Sequence, residues 1–349
     1  MPKTKVGFIG GGGIAREHMQ HLSAMDDVEL AAVADISSAA LDTCREMYDI
    51  PHCFEDYREL LAMDAIDAVT VGTPNSTHCE PTIDALRAGK DVLVEKPMAI
   101  TAEEAAEMVK ASRDTGRILV IGFQHRFAPE ARMLKRFIDR GEFGKILYGR
   151  CLALRRRGIP NWGVFGRKDL QGGGALIDIG VHMIEAAHYL MGSPQPVSAF
   201  GSAYTYLGDR PSDTVSMWPD WDHETYSVED LAVGMIRFDN GASLSVEASF
   251  AAHIGKGEWT FSLMGEKAGG QFSPPRVFKD QSGTMINIKP DYLPDMDGFR
   301  FKMEHFIDCV RTRKPSEAPG EHGLLVQQIL NGIYRSAETG REVPIEPLI

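Results

Sequence analysis

The sequence predicts an α/β protein in two parts: a doubly wound parallel sheet, then an α+β part with a large, mainly antiparallel open sheet. Three observations predict it. A strand, a glycine run and a helix pattern open the chain; strand-length apolar runs then alternate with helical patterns as far as Phe123; beyond Phe123 the runs alternate residue by residue and meet at hairpin signals. The 349 residues suffice for two domains, divided at 1–123 and 124–349.

Residues 5–9 read as a short buried strand, and Lys5-Val-Gly-Phe-Ile-Gly-Gly-Gly-Gly-Ile-Ala15 continues into a helix carrying Ile14, Met19 and Leu22. Read as G-x-G-x-x-A, the motif falls on Gly10, Gly12 and Ala15. The first makes the turn, the second admits a pyrophosphate and the third packs helix on strand. The helix N-terminus, at Gly13 and Ile14, presents N–H groups to that anion. A plain surface turn is the alternative for a glycine run alone. Dinucleotide binding is favoured by the strand over 28–34, which ends in Asp35, twenty residues past Ala15, where an acid accepts from the adenine ribose hydroxyls.

Strands over 65–72 and 91–95 flank a helix over 81–88 that Gly89 ends. Thr101-Ala-Glu-Glu104 is a capping box for the next helix, and Gly116 closes that helix before a strand over 117–121. Two stretches follow a strand's carboxyl end, where open α/β sheets bind ligands. Thr73-Pro-Asn-Ser-Thr-His78 is either a ligand loop or a turn. In Glu95-Lys96-Pro97 the proline stops the strand and restricts the lysine before it.

In the second part a helix over 129–140 precedes a long alternating strand over 145–155. Strands follow over 197–205, 231–238, 242–250 and 259–264, with Asp239-Asn-Gly241 joining the middle pair as a hairpin. Amphipathic helices over 301–311 and 324–337 close the chain. The loop over 157–171, with Pro160 and Trp162, follows three consecutive arginines and is a substrate lid or an edge cover. A second long stretch, 207–223, carries Trp218 and Trp221, rings that stack on a sugar or pack on a neighbouring subunit.

The stretch Gly172-Gly-Gly-Ala-Leu-Ile-Asp178-Ile-Gly180-Val-His182 opens a helix reaching about Met191. Asp178 and His182 are four apart and share a helix face. A carboxylate beside an imidazole is a general base unit working near neutral pH. An ordinary hydrogen-bonded pair is the alternative; the glycines just upstream, which let a backbone or a ligand come close, favour the base.

Composition narrows the class. With 43% apolar and 25% charged residues the chain is an ordinary globular one, and a net charge of −12 gives it no general attraction for nucleic acid or anionic membrane. Cys44, Cys53, Cys79, Cys151 and Cys309 are scattered, without a C-x-x-C pair, as free thiols in a reducing compartment would be. No leader, membrane span or metal site is expected, and the expected location is the cytoplasm.

Together these stretches resemble the Gfo/Idh/MocA family of NAD(P)-dependent oxidoreductases along essentially the whole chain. The matching pieces are the opening strand, glycines and helix, Thr73-Pro-Asn, Glu95-Lys96-Pro97, Gly122-Phe-Gln-His-Arg-Phe127, Gly173-Gly-Ala-Leu-Ile-Asp-Ile-Gly-Val-His182 and Ser336-Ala-Glu-Thr-Gly-Arg341. The resemblance implies an NAD-binding Rossmann domain over 1–123 and a substrate-binding and oligomerisation domain over 124–349, acting on sugars, inositols or related polyols. It puts Lys96, Asp178 and His182 in the catalytic group. Cofactor contacts are expected from Gly10, Gly12, Gly13, Ile14 and Asp35, and from Thr73, Asn75, His78, Glu95, Lys96 and Gln124 at later strand ends. Substrate contacts are expected from Lys96, Asp178 and His182 with His125, Arg155, Arg156 and Trp162. The third fingerprint glycine is replaced by Ala15.

The expected reaction is oxidation of a ring hydroxyl of a sugar, sugar derivative or cyclitol to the ketone. His182 takes the hydroxyl proton, Asp178 orients His182, and Lys96 steadies the alkoxide as hydride leaves for nicotinamide. A glycosidase acting through transient oxidation and a redox-silent NAD- and sugar-binding sensor are the alternatives. NAD is expected over NADP, because Asp35 repels a 2′-phosphate and neither Ile36 nor Ser37 supplies an arginine. A neutral sugar is expected over an anionic one: strand alternation lets at most one or two of Arg155, Arg156 and Arg157 face a pocket, and Trp162 suits an uncharged ring. Apolar side chains on both faces of Leu231-Ala-Val-Gly-Met-Ile-Arg-Phe238 predict a homodimer or homotetramer built sheet to sheet.

Overall fold

The computed structural model describes residues 2–295 and 297–349; Met1, where the opening stretch begins, and Met296 lie outside the described residues. Its contacts form two units, one running through Gln124 and including Asp297–Leu324, the other beginning at His125 and including Leu325–Ile349.

The first unit alternates β1 (Thr4–Ile9), α1 (Gly13–Ser23), β2 (Val28–Ala34), α2 (Ser38–Tyr48), β3 (His52–Phe54), α3 (Tyr57–Leu61), β4 (Ala68–Val71), α4 (Cys79–Arg87), β5 (Asp91–Val94), α5 (Ala102–Thr115) and β6 (Leu119–Ile121). All six strands are parallel, in the order β3-β2-β1-β4-β5-β6. That order reverses between β1 and β4, the switch point at which a doubly wound sheet opens a crevice. β4 and β5 are buried at every residue, as parallel strands covered on both faces must be. The capping box at Thr101 and Glu104 is formed in full, and Gly116 ends α5 at φ +64°. The three-residue β3 and the single-turn α3 carry too short a pattern to be read from sequence.

The rest of the chain holds α6 (Pro129–Asp139), β7 (Ile146–Leu154), α7 (Lys168–Gln171), α8 (Val181–Leu190), β8 (Pro196–Tyr204), β9 (Leu231–Phe238), β10 (Ser243–Ser249), β11 (Glu258–Gly265), β12 (Ala268–Gln271), β13 (Arg276–Gln281), β14 (Thr284–Ile288), α9 (Gly298–Thr312), α10 (Gly320–Thr339) and β15 (Val343–Pro344). Its sheet runs β14-β13-β12-β11-β7-β10-β9-β8-β15, antiparallel except for the β7–β10 pair. The hairpin at Asp239-Asn-Gly241 sets the β9–β10 register, with Gly241 at φ +82°. β12–β14 are an addition to the sequence reading. Ala268-Gly-Gly-Gln271 has no alternation to read, and Gly270 sits where a Cβ would come within 2.8 Å of Leu134 and Phe143 side chains.

α8 and the Gly332–Ile333 stretch of α10 cover one face of this sheet. Cys151 on β7 lies against the Met183 carbonyl, and Ile333 fills the space that Gly201 and Gly234 leave. On the opposite face Phe200 and Met235, directly paired across β8 and β9, are each about half exposed. Among the described residues no helix is long and apolar enough to cross a membrane.

Candidate active site

In the first unit the glycine loop between β1 and α1 is built for close approach. Gly10 has φ +99°, and a Cβ there would lie 2.9 Å from the Gly72 carbonyl oxygen at the end of β4. Glycine at 72 in turn lets α1 in, since a Cβ on it would stand 3.0 Å from Ile14 Cγ2 and 3.7 Å from Ala15 Cβ. Gly12 and Gly13 differ: nothing of the protein lies within 4 Å of a Cβ added at either. The N-cap Gly12, at φ −72°, needs no glycine for its backbone. Its missing side chain therefore leaves room for something other than this chain. Asp35 braces the loop, with Oδ2 accepting from Gly11 N at 2.7 Å and Oδ1 from Ser37 N at 2.8 Å.

The next two strand ends are tied together by His78. Its buried ring has Nδ1 2.9 Å from the Pro97 carbonyl and Nε2 2.9 Å from the Thr73 carbonyl, and burial draws its pKa down against those two acceptors. Thr73 itself donates to the Thr77 carbonyl at 3.0 Å, Asn75 is buried in the short 3₁₀ turn between, and Gln124 is buried just past β6. Lys96 is half-buried.

Behind Lys96 stands a buried trio that the sequence did not disclose. Glu95 Oε1 accepts from Lys302 Nζ of α9 and lies 2.9 Å from His18 Nε2 of α1, while Oε2 accepts from Lys96 N at 3.1 Å. Burial opposes the Glu95 charge, but the Lys302 ammonium and the His18 hydrogen bond outweigh it and hold the carboxyl well below the usual range. His18 is pushed down to about 4 by burial, then by Lys302. Near neutral pH the pair is a carboxylate beside a neutral imidazole, and Glu95 anchors the strand end that carries Lys96. The available signal was a histidine inside the apolar stripe Ala15, Met19 and Leu22.

In the second unit the three glycines lead into Asp178 and His182, but not along a regular α-helix as expected. Leu176–Gly180 is a turn of π-helix, and α8 starts at Val181. Such turns recur at functional sites because they re-aim side chains without ending the helix. Across residues 173–188 only Asp178 escapes full burial. His182, buried at 9% exposure, meets the His125 ring edge-on at 5.0 Å between centroids and the Trp259 ring at 5.8 Å. His125 is also 5.9 Å from Trp259 and 6.1 Å from Phe272, two aromatic rings that the sequence reading left out of the site.

Next to His125, Arg126 is fully buried with Nε donating to Glu185 Oε2 at 2.7 Å and its guanidinium 4.7 Å over the Tyr189 ring. Burial lifts the Glu185 carboxyl to about 7 against the pull of Arg126. The pair clamps the 3₁₀ turn Gln124–Phe127 to α8, one helical turn beyond His182.

Among the three arginines, burial draws the pKa of Arg155 down while the charge of Asp178 supports its protonated form. Its guanidinium lies 5.0 Å from the Trp218 ring and 5.6 Å from Phe250. Arg156 is exposed, donating to the Gly255 carbonyl at 3.1 Å, and Arg157 Nη2 is 3.1 Å from His253 Nε2. Trp162 is 49% exposed, edge-on to Trp218 at 4.7 Å.

The profile of the oxidoreductase family with an NAD-binding Rossmann fold matches residues 4–123, and that of the oxidoreductase family's C-terminal alpha/beta domain matches 135–345. The chain belongs to the Gfo/Idh/MocA family. The D-glucoside 3-dehydrogenase of Escherichia coli K12 is 37% identical to it, over 98% of this chain and 97% of the relative. The NAD-dependent scyllo-inositol 2-dehydrogenase of Bacillus subtilis 168 is 30% identical, over 89% and 87%. Among solved structures, an aldose-aldose oxidoreductase from Caulobacter crescentus complexed with glycerol superposes with a TM-score of 0.80 at 26% identity, covering 98% of this chain and 99% of that one. As a Gfo/Idh/MocA member the protein is an enzyme, an NAD-binding oxidoreductase, and the open side of Gly12 and Gly13 fits that cofactor's pyrophosphate.

Proposed function

We propose that the protein oxidises a ring hydroxyl of a neutral glucoside, sugar or cyclitol to the ketone. The carrying observation is the presentation of His182 at the π-to-α junction, edge-on to His125 and beside Trp259, with Asp178 the only residue of that stretch not fully buried. NAD, when bound, supplies the hydride acceptor. His182 receives the hydroxyl proton and passes it to solvent, and Asp178 sets its orientation. Lys96, held by the anchored Glu95, steadies the oxyanion as the C–H bond breaks and also serves the nicotinamide ribose. Gly10, Gly12, Gly13 and Ile14 take the pyrophosphate, Asp35 the adenine ribose, and Thr73, Asn75, Glu95 and Gln124 line the nicotinamide side, with His78 holding their loops together. Arg155, Arg156, His125 and Trp162 contact substrate. Preference for a neutral substrate is supported by Arg155, whose cationic face is already covered by Trp218 and Phe250.

A spectrophotometric screen of glucosides, free sugars, inositols and sugar acids with NAD tests this reading by NADH formation. His182→Ala should lower kcat by roughly 10² to 10⁴-fold on the best substrate, with NAD affinity retained. Near-normal turnover in that variant sinks the assignment, and release of free sugar without NADH accumulation points to the glycosidase instead.

The domain roles follow: 1–123 for cofactor, 124–349 for substrate and assembly. The exposed Phe200–Met235 pair, with Tyr204 and Met264 also about half exposed, supports a homodimer or homotetramer formed sheet to sheet. Light scattering at micromolar concentration should give a multiple of 38.4 kDa, and a monomer mass contradicts it. All five cysteines are free, in keeping with the cytoplasm.

A further inference from the structure

Two long loops of the second unit, residues 155–167 and 205–230, close on each other at defined points. Asn161 Nδ2 donates to the Pro219 carbonyl at 2.8 Å, and Ser227 N to the Gly166 carbonyl at 2.9 Å. At the base, Asp230 Oδ2 accepts from the main-chain N–H groups of Tyr206, Leu207 and Gly208, and the buried Trp221 donates its indole N–H to the Gly208 carbonyl at 2.9 Å. Anchorage is thus complete without Trp162 or Trp218. Neither of these has an indole hydrogen bond among the described residues, and Trp162 keeps about half its surface in solvent.

Their positions are nonetheless specific. Trp218 reaches the Arg155 guanidinium because residue 158 is glycine: a Cβ there would stand 2.8 Å from Arg155 Cδ and 3.3 Å from Trp218 Cζ3. Arg155 follows β7, whose Ala153 pairs with Ala248 of β10, and Ala248 Cβ lies 3.0 Å from where a Cβ on Gly180 would stand in the π turn that carries Asp178. From Arg155 a line of contacts runs to Trp218, 5.0 Å on, and to Trp162, a further 4.7 Å on. The exposed Trp162 indole and the half-buried Trp218 indole beside it are of the kind that stacks on the C–H face of a pyranose, which loop anchoring does not require of them.

We propose that Trp162 and Trp218 form a second subsite, which takes the pyranose joined by a glycosidic bond to the ring being oxidised. The proposal rests on the sugar dehydrogenase reading and narrows it: the substrate is a two-ring glycoside, and Trp162 stacks on its outer ring.

The test compares methyl glucoside with α- and β-linked glucose disaccharides, with saturating NAD and NADH as readout. The wild type should turn over at least one disaccharide with a kcat/KM about tenfold above methyl glucoside, chiefly through a lower KM. Trp218→Ala and Trp162→Ala should each shrink that ratio by about tenfold, again through KM, while Trp218→Phe, which retains a stacking face, keeps most of it. A matching thermal midpoint verifies that each variant is folded. A wild type that does not favour either disaccharide, or variants that lose equally on both substrates, overturns the subsite. If no sugar yields NADH the dehydrogenase reading fails. Calorimetry of the same disaccharides on the NAD-saturated protein then decides the subsite by itself: disaccharide heat that weakens tenfold in Trp218→Ala supports it, and absence of heat or heat unchanged in the variant refutes it.

Discussion

Two glycine runs, Gly10–Gly13 and Gly172–Gly174, look alike in sequence and are opposites in space. Both lead into a helix, and both are braced by a carboxylate that accepts main-chain N–H groups: Asp35 from Gly11, Glu229 from Gly174 at 2.8 Å and Leu176 at 2.9 Å. In the first run the space beside Gly12 and Gly13 is empty of protein. In the second it is filled by the chain itself, for a Cβ on Gly174 would lie 2.0 Å from the Glu229 carbonyl oxygen and one on Gly173 2.2 Å from the Tyr334 hydroxyl. The Tyr334 hydroxyl also donates to Glu229 Oε1 at 2.8 Å, closing the second run against a buried carboxylate. A glycine run therefore marks close approach, and only its surroundings reveal whether the visitor is a ligand or the protein's own backbone.

The sharpest way to break that contrast is one methyl group on each side. Gly174→Ala drives a Cβ into a main-chain carbonyl that cannot swing away, so a loss of at least ~3 kcal/mol of stability is expected, seen as aggregation or a sharply lowered thermal midpoint. Gly12→Ala should change stability by no more than ~0.5 kcal/mol, because its backbone tolerates alanine and no atom of the chain stands in the way. Its effect belongs to the cofactor: calorimetry should show NAD binding weakened at least tenfold. A stable Gly174→Ala protein, or a Gly12→Ala protein that binds NAD normally, would contradict the two packing accounts in turn.

This contrast also explains what could be read in advance. The first run was legible because its signal is local: strand, glycines, helix and Asp35 fall within 35 residues of one another. Capping at Thr101 and the turn at Asp239-Asn-Gly241 were legible for the same reason. The partners of the second run, Glu229 and Tyr334, are remote in sequence, so the sequence left open whether a backbone or a ligand comes close to those glycines. Lys302 and Arg126 are both fully buried, each against a glutamate from another element, and no local pattern announces either pairing. The π turn was hidden too, because the apolar spacing of Leu-Ile-Asp-Ile-Gly suits a π turn as well as an α turn. What is written between distant elements does not appear as a pattern along the chain.

Asp35 offers the smallest and most discriminating change, because it does two jobs within the open run. Its carboxylate holds Gly11 and Ser37 through their N–H groups, and we propose that its charge disfavours a 2′-phosphate on the adenine ribose. Asp35→Ala removes both. Two main-chain donors lose their acceptor in a half-exposed setting, costing about 1 kcal/mol, and the preference for NAD over NADP should narrow by roughly tenfold. Asp35→Asn separates the jobs in part: its single amide oxygen can still accept from Gly11 N, its NH2 cannot accept from Ser37 N, and the negative charge is gone. The asparagine variant should therefore have a thermal midpoint between those of the alanine variant and the wild type and still narrow the NAD to NADP ratio of kcat/KM. If asparagine left the ratio unchanged while alanine shifted it, the preference would come from the shape of the loop and not from the charge.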